Sequence, residues 1–164
     1  MTMRTRRERE RAERARLIVT AARGKGAIMT AVALEGSEEL TAALRAATAA
    51  AGGAYGRPAA VGGAYTDFGR RRPALYDAMF THLVDLPFAT PEAPAPLRAA
   101  FAELRRAVEP VAHEDDDPAL LTETFWAGLH GLVTLTRSGR LPPEAHESRL
   151  ALLVGRLAPR DRAG

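Results

Sequence analysis

EDDDPALLTETFWAGLHGLVTLTRSGRL, residues 114–141, reads as one long helix with both of its ends marked. Asp117 offers a carboxylate to the free amides of the first turn, Pro118 takes a position that needs no donor, and the acidic run favours the positive end of the helix dipole. Gly139 stops the helix after Ser138. In between, Leu120, Leu121, Phe125, Trp126, Leu129, Leu132, Val133 and Leu135 spread apolar side chains over more than one face. A helix apolar most of the way round belongs at the centre of an assembly.

The neighbouring stretches carry the same periodicity. Upstream, Leu97, Phe101, Leu104, Val108 and Val111 step by four and three, the clearest amphipathic pattern in the chain. Downstream, Pro142 and Pro143 open a last helix striped by Leu150, Leu153, Val154 and Leu157. A short helix marked by Val61, Tyr65 and Phe68 ends at Arg70–Arg72, and Pro73 starts the next, with Tyr76, Met79, Phe80 and Leu83 on one face. Pro87, Pro91, Pro94 and Pro96 make the loop that follows. Towards the N-terminus two helices are expected, one over residues 4–23 with Ala12, Ala15, Val19 and Ala22 on a face, and one from Lys25 to about Ala51 that Gly52 and Gly53 end. Arg23-Gly24-Lys25-Gly26 reads as the hinge between them. No strand-like alternation persists, so the expected fold class is all-α, with about seven helices.

Composition excludes several functions. There is no cysteine for disulfides or thiolate chemistry. His113-Glu114 and His146-Glu147 lack the second His that a zinc-hydrolase helix needs, so no metal site and no cofactor are expected. No Ser, His and acid arrangement stands out, which argues against an enzyme. No apolar run is long enough for a membrane span, and no secretory signal is evident; a cytoplasmic protein is the default. Charge is uneven: residues 1–25 hold nine Arg or Lys against three Glu, while the remainder is net negative. Arg4, Arg6 and Arg7 head a stretch suited either to phosphate contacts or to pairs such as Arg6–Glu10 and Glu10–Arg14 on a solvated helix.

The aromatic side chains admit two readings. Tyr65, Phe68, Tyr76, Phe80, Phe101, Phe125 and Trp126, with Met79, lie on or beside apolar faces, which suits core packing; several of them also suit the wall of an apolar cavity in which His130 orients a ligand.

Phe125-Trp126-Ala127-Gly128-Leu129-His130-Gly131-Leu132-Val133, followed by Gly139-Arg140-Leu141, resembles the C-terminal signature of a TetR-type regulator subgroup named for its Trp, His, Gly pattern. Tyr65-Thr66-Asp67-Phe68 and Arg72-Pro73-Ala74-Leu75-Tyr76-Asp77-Ala78-Met79-Phe80 resemble the same subgroup's corner between two helices. The resemblance covers about residues 55–157. It implies a homodimer whose last two helices pair across a two-fold axis, with Leu132, Leu150, Leu153, Val154 and Leu157 at the interface. It also implies an effector cavity drawing on Tyr65, Phe68, Met79, Phe80, Phe101, Trp126 and His130, and a small, largely apolar effector.

At the front, residues 1–23 are similar to the family's basic arm and first DNA-binding helix, and residues 24–54 to the helix that links that domain to the ligand domain, residues 55–164. In the family a helix, a turn and a recognition helix lie between the two; here Gly24 alone stands there. An element that reads base edges in the major groove is therefore not expected, and DNA contact is expected to be weak and non-specific. The rival to a transcription regulator is a dimerisation or ligand-scavenging module acting on full-length relatives.

Overall fold

The computed structural model describes residues 3–80 and 91–157, and the side chains of these apart from residues 3–8, 10, 11, 14, 15 and 17–22. Leu83, Pro87 and the side chains of Arg4, Arg6, Arg7, Glu10, Arg14, Ala15, Val19 and Ala22 lie outside the described residues. Among the described residues the fold is all-α, with six α-helices: α1 (Met3–Ala50), α2 (Arg57–Arg71), α3 (Pro73–Phe80), α4 (Ala95–Val108), α5 (Pro118–Arg137) and α6 (His146–Leu157). Single 3-10 turns at Ala54–Gly56, Glu109–Val111 and Pro143–Ala145 lead into or out of them.

The two helices expected at the front are one. α1 is 48 residues long, about 72 Å at 1.5 Å per residue. It runs unbroken through Gly24 and Gly26, where a hinge was expected. A glycine inside a helix costs about 1 kcal/mol, and with strong helix formers on both sides and no proline, that is too little to interrupt a cooperative helix. Every described side chain from Arg9 to Ile28 is exposed, whereas Ala33, Ser37, Leu40, Thr41 and Leu44 are buried. The second half of α1 is therefore part of the core. Ser37 and Thr41 are accommodated there by donating their hydroxyls to the carbonyls of Ala33 and Ser37.

The helix ends follow the local chemistry. Asp117 accepts from the amides of Ala119 at 2.8 Å and Leu120 at 3.3 Å. At the other end of α5, Gly139 takes φ 71°, and the amides of Gly139 and Arg140 close onto the carbonyls of Thr136 and Leu135. This is the paired capping pattern that only a residue tolerant of left-handed geometry completes.

α2 packs against each of the other five helices. It does so because two of its glycines accept close neighbours. A Cβ on Gly62 would stand 2.9 Å from Leu150 Cδ1, and one on Gly69 would stand 2.6 Å from Val133 Cγ1. Around α2 the core closes with Leu40, Leu44, Val61, Tyr65, Tyr76, Leu104, Val108, Phe125 and Leu129. α5 keeps part of its apolar surface uncovered: Leu120 is 61% and Leu135 40% exposed.

Two charged contacts tie distant segments together. Glu103 on α4 is buried and accepts from Arg45 of α1 at 2.8 Å and from Arg106 at 2.9 Å. Arg137 on α5 meets Asp77 on α3 with two parallel N–H bonds of 2.8 Å, the fork geometry that favours Arg for carboxylates.

Candidate functional site

Where α3 faces α5, five ring side chains gather in a box. Pro73 starts α3 immediately after α2, so Tyr76 is turned inward against Tyr65, with ring centroids 6.0 Å apart and edge-on. One turn on, Phe80 lies 4.8 Å from the Tyr76 ring. From α5, Trp126 and His130 arrive four residues apart on one face. His130 stacks on Tyr76 at 5.5 Å and meets Phe80 edge-on at 5.2 Å, and Trp126 lies 6.0 Å from Phe80.

A chain of hydrogen bonds runs through this box. Trp126 Nε1 donates to Tyr65 Oη at 2.9 Å, Tyr65 Oη and Tyr76 Oη share a 3.2 Å bond, and Tyr76 Oη lies 2.6 Å from His130 Nδ1. Tyr65 and Tyr76 are fully buried, while Phe80, Trp126 and His130 are half-buried. Burial pushes the Tyr65 hydroxyl up to about 12, opposed by the bond that Trp126 donates to it. It raises Tyr76 further still. Burial holds the His130 imidazole below its ordinary value. All three groups are thus neutral around pH 7, as a polar chain inside an apolar box requires. The Arg137 guanidinium lies 5.7 Å from the Tyr76 ring centre, steadied by Asp77, whose hydrogen bond raises the arginine's pKa. Among the described residues no group of three or more His, Asp or Glu is placed to hold a metal ion, and no helix is long and apolar enough to cross a membrane.

Residues 59–157 of this helical bundle match the family described as tetracyclin repressor-like, C-terminal domain. The chain belongs to that family. A solved structure of a protein with unknown function from Rhodococcus sp. RHA1 is similar to it, at 25% sequence identity and a TM-score of 0.63, over 80% of this chain and 71% of that one. No curated protein matches the chain.

Within this tetracyclin repressor-like domain, four of the seven residues expected at the effector site come together: Tyr65, Phe80, Trp126 and His130. Tyr76 joins them at the centre; sequence placed it on the same stripe but left it out of the site. The other three are placed differently: Phe68 is buried in the core, Met79 packs where a Cβ on Gly36 would meet its sulfur, and Phe101 is half-buried on α4. Of the residues expected at a dimer interface, Leu150 is buried within the chain above Gly62, and Leu153 lies against Gly128. Leu132, Val154 and Leu157 are half-buried against the same core. The Arg137–Asp77 pair and the buried Glu103 were not anticipated, since nothing in local spacing joins residues this far apart in sequence.

A separate cavity of about 600 Å³ opens on another side of α5, between α2, the end of α5 and the start of α6. Ala60, Gly63, Ala64, Leu132, Thr136 and His146 help to line it, with Asp67 and Arg70, themselves ion-paired, at its edge. None of the seven expected effector residues lines it. Thr136 Oγ1 in its wall is buried without a hydrogen-bond partner among the described residues.

Proposed function

We propose that the chain is the effector-sensing, dimerising part of a TetR-type transcriptional regulator, and that its effector is a small, largely apolar molecule held at the Tyr65, Tyr76, Phe80, Trp126 and His130 box. The observation that carries this reading is the box itself. Aromatic faces surround one continuous hydrogen-bond chain that ends on a half-buried imidazole, and mostly apolar walls with one fixed polar group are what a site for such a ligand needs. Family membership supports it.

The protein acts as a homodimer. Leu120, Thr124, Ala127, Gly131 and Leu135 recur on one uncharged face of α5, and Leu152 of α6 is 62% exposed. Small and apolar residues left uncovered on the last two helices suit a self-complementary contact. DNA contact is sequence-independent: Arg4, Arg6 and Arg7 neutralise phosphates, and the unbroken α1 supports the absence of a reading element between residues 23 and 25. The same observation favours a second reading, a module that pairs with full-length relatives and disables them.

A thermal-shift screen of small apolar compounds, followed by Trp126 fluorescence, tests the effector reading, because Trp126 is the sole tryptophan in the chain. The expected hit raises the unfolding temperature and changes the emission of Trp126. Sedimentation of Leu135→Glu/Leu152→Glu is expected to give a folded monomer, and a folded dimer would count against this interface. Affinity for the protein's own upstream DNA and for scrambled DNA, measured at about 150 mM salt, is expected to be equal and weak.

A further inference from the structure

We infer that His130 presents an Nε2–H donor to the occupant of the box, so that the site selects an apolar molecule carrying a hydrogen-bond acceptor. This rests on the effector reading given above and adds the polarity of the ligand's one polar group.

The direction of the hydrogen-bond chain follows from its fixed end. An indole N–H only donates, so Tyr65 Oη accepts from Trp126 Nε1. Tyr65 is 1% exposed, and its own proton needs an acceptor, since a buried donor left unpaired is costly. The acceptor within reach is Tyr76 Oη at 3.2 Å. Tyr76 is fully buried too, so its proton goes onward to His130 Nδ1 at 2.6 Å. Nδ1 is thereby an acceptor, and in a neutral imidazole the proton then resides on Nε2.

Reversing any link leaves a buried hydroxyl proton without a partner. A cationic ring fails in the same way, because its Nδ1–H would oppose the Tyr76 hydroxyl. Nε2 has no partner among the described residues, and the half-buried ring leaves it reachable. Tyr76 stacked on one side and Phe80 edge-on hold the imidazole in place. A ketone, ester or ether oxygen satisfies this donor; an ammonium or an amide N–H pointed at the same atom does not.

Nitrogen NMR of the full chain labelled at histidine reads the tautomer directly. The expected pattern at neutral pH is a bare Nδ1 and a protonated Nε2 for His130, with Tyr76→Phe, or Trp126→Phe if that variant does not fold, shifting the ring towards a mixture. A protonated Nδ1, or a cationic ring, overturns the inference whether or not any compound binds. With the expected tautomer in place, benzylacetone and butylbenzene, alike in shape except for the carbonyl, are titrated against Trp126 fluorescence. Benzylacetone is expected to bind about tenfold more tightly, the worth of one net hydrogen bond, and His130→Phe is expected to erase the difference. Equal affinities in the unaltered protein overturn the acceptor preference. Failure of both compounds to perturb Trp126 or His130 overturns the effector reading of the box, and the inference with it.

Discussion

Tyr76 and His130, 54 residues apart in sequence, are joined by a 2.6 Å contact between Oη and Nδ1 that fastens α3 to α5. The contact serves only a neutral imidazole, and burial already lowers the His130 pKa from 6.5. The unfolded chain therefore takes up the proton first as pH falls. Stability attached to this residue is complete above about pH 6.5 and declines below it, down towards the folded pKa. Tyr65 and Tyr76 stay neutral over this range. The denaturation midpoint is expected to fall between about pH 7 and 5.5, and to fall less in His130→Gln, which keeps an acceptor for Tyr76 and does not titrate. Identical slopes for the two proteins would show that His130 contributes nothing to the acid response.

Two glycines on α2 are expected to respond in opposite directions to the same substitution. Gly69→Ala drives a methyl to 2.6 Å from Val133, a branched side chain with little room to yield, and should cost about 1–3 kcal/mol. Gly63→Ala meets nothing within 4 Å and should stabilise the helix by about 1 kcal/mol. Urea denaturation of both variants measures the contrast, and a Gly69→Ala protein as stable as the parent would mean that α2 and α5 are free to separate.

Glu103 is 2% exposed, whereas its partners Arg45 and Arg106 are 60% and 65% exposed. Removing the buried charge leaves two arginines that water solvates. Removing both arginines leaves the carboxylate buried and unpaired, which is the costlier half of the exchange. Glu103→Gln should therefore lower stability by about 1–2 kcal/mol, and Arg45→Ala/Arg106→Ala by more. Denaturant midpoints in the reverse order would contradict this account of the contact.

The cavity beside α2 offers a control on where the effector sits. Gly63→Leu projects a side chain into that space, at a position where nothing stands within 4 Å, and should leave benzylacetone affinity unchanged. Loss of binding in this variant, with Trp126 emission of the free protein unaltered, would move the effector from the aromatic box to the cavity.

Much of the fold is legible because its cues are local. The Asp117-Pro118 start, the Gly139 stop, the Arg72-Pro73 corner and the four-three stripe through Leu97, Phe101, Leu104, Val108 and Val111 each work through one or two turns of backbone, and all stand where expected. The hinge at Gly24 failed on a matter of degree, since glycine weakens a helix without having to end it. The aromatic site was legible in part. Helical spacing placed Trp126 and His130 together on one face, but whether Phe68, Met79 or Phe101 shares that space depends on how helices rotate against each other, and periodicity does not report rotation.

The sequence by itself determined an all-α chain, where most of its helices begin and end, membership of the tetracyclin repressor-like C-terminal domain family, and a basic front end. Only the tertiary structure decided that Tyr76 stands at the centre of the aromatic box, that Glu103 lies between two arginines, that Leu150 is core, and that Leu135 and Leu152 are left outside. The reason is one of range. Caps, turns and helical periodicity are set by backbone geometry over a few residues, whereas these contacts join residues tens of positions apart in sequence. Their existence depends on how closely glycines such as Gly62 and Gly69 let the helices approach.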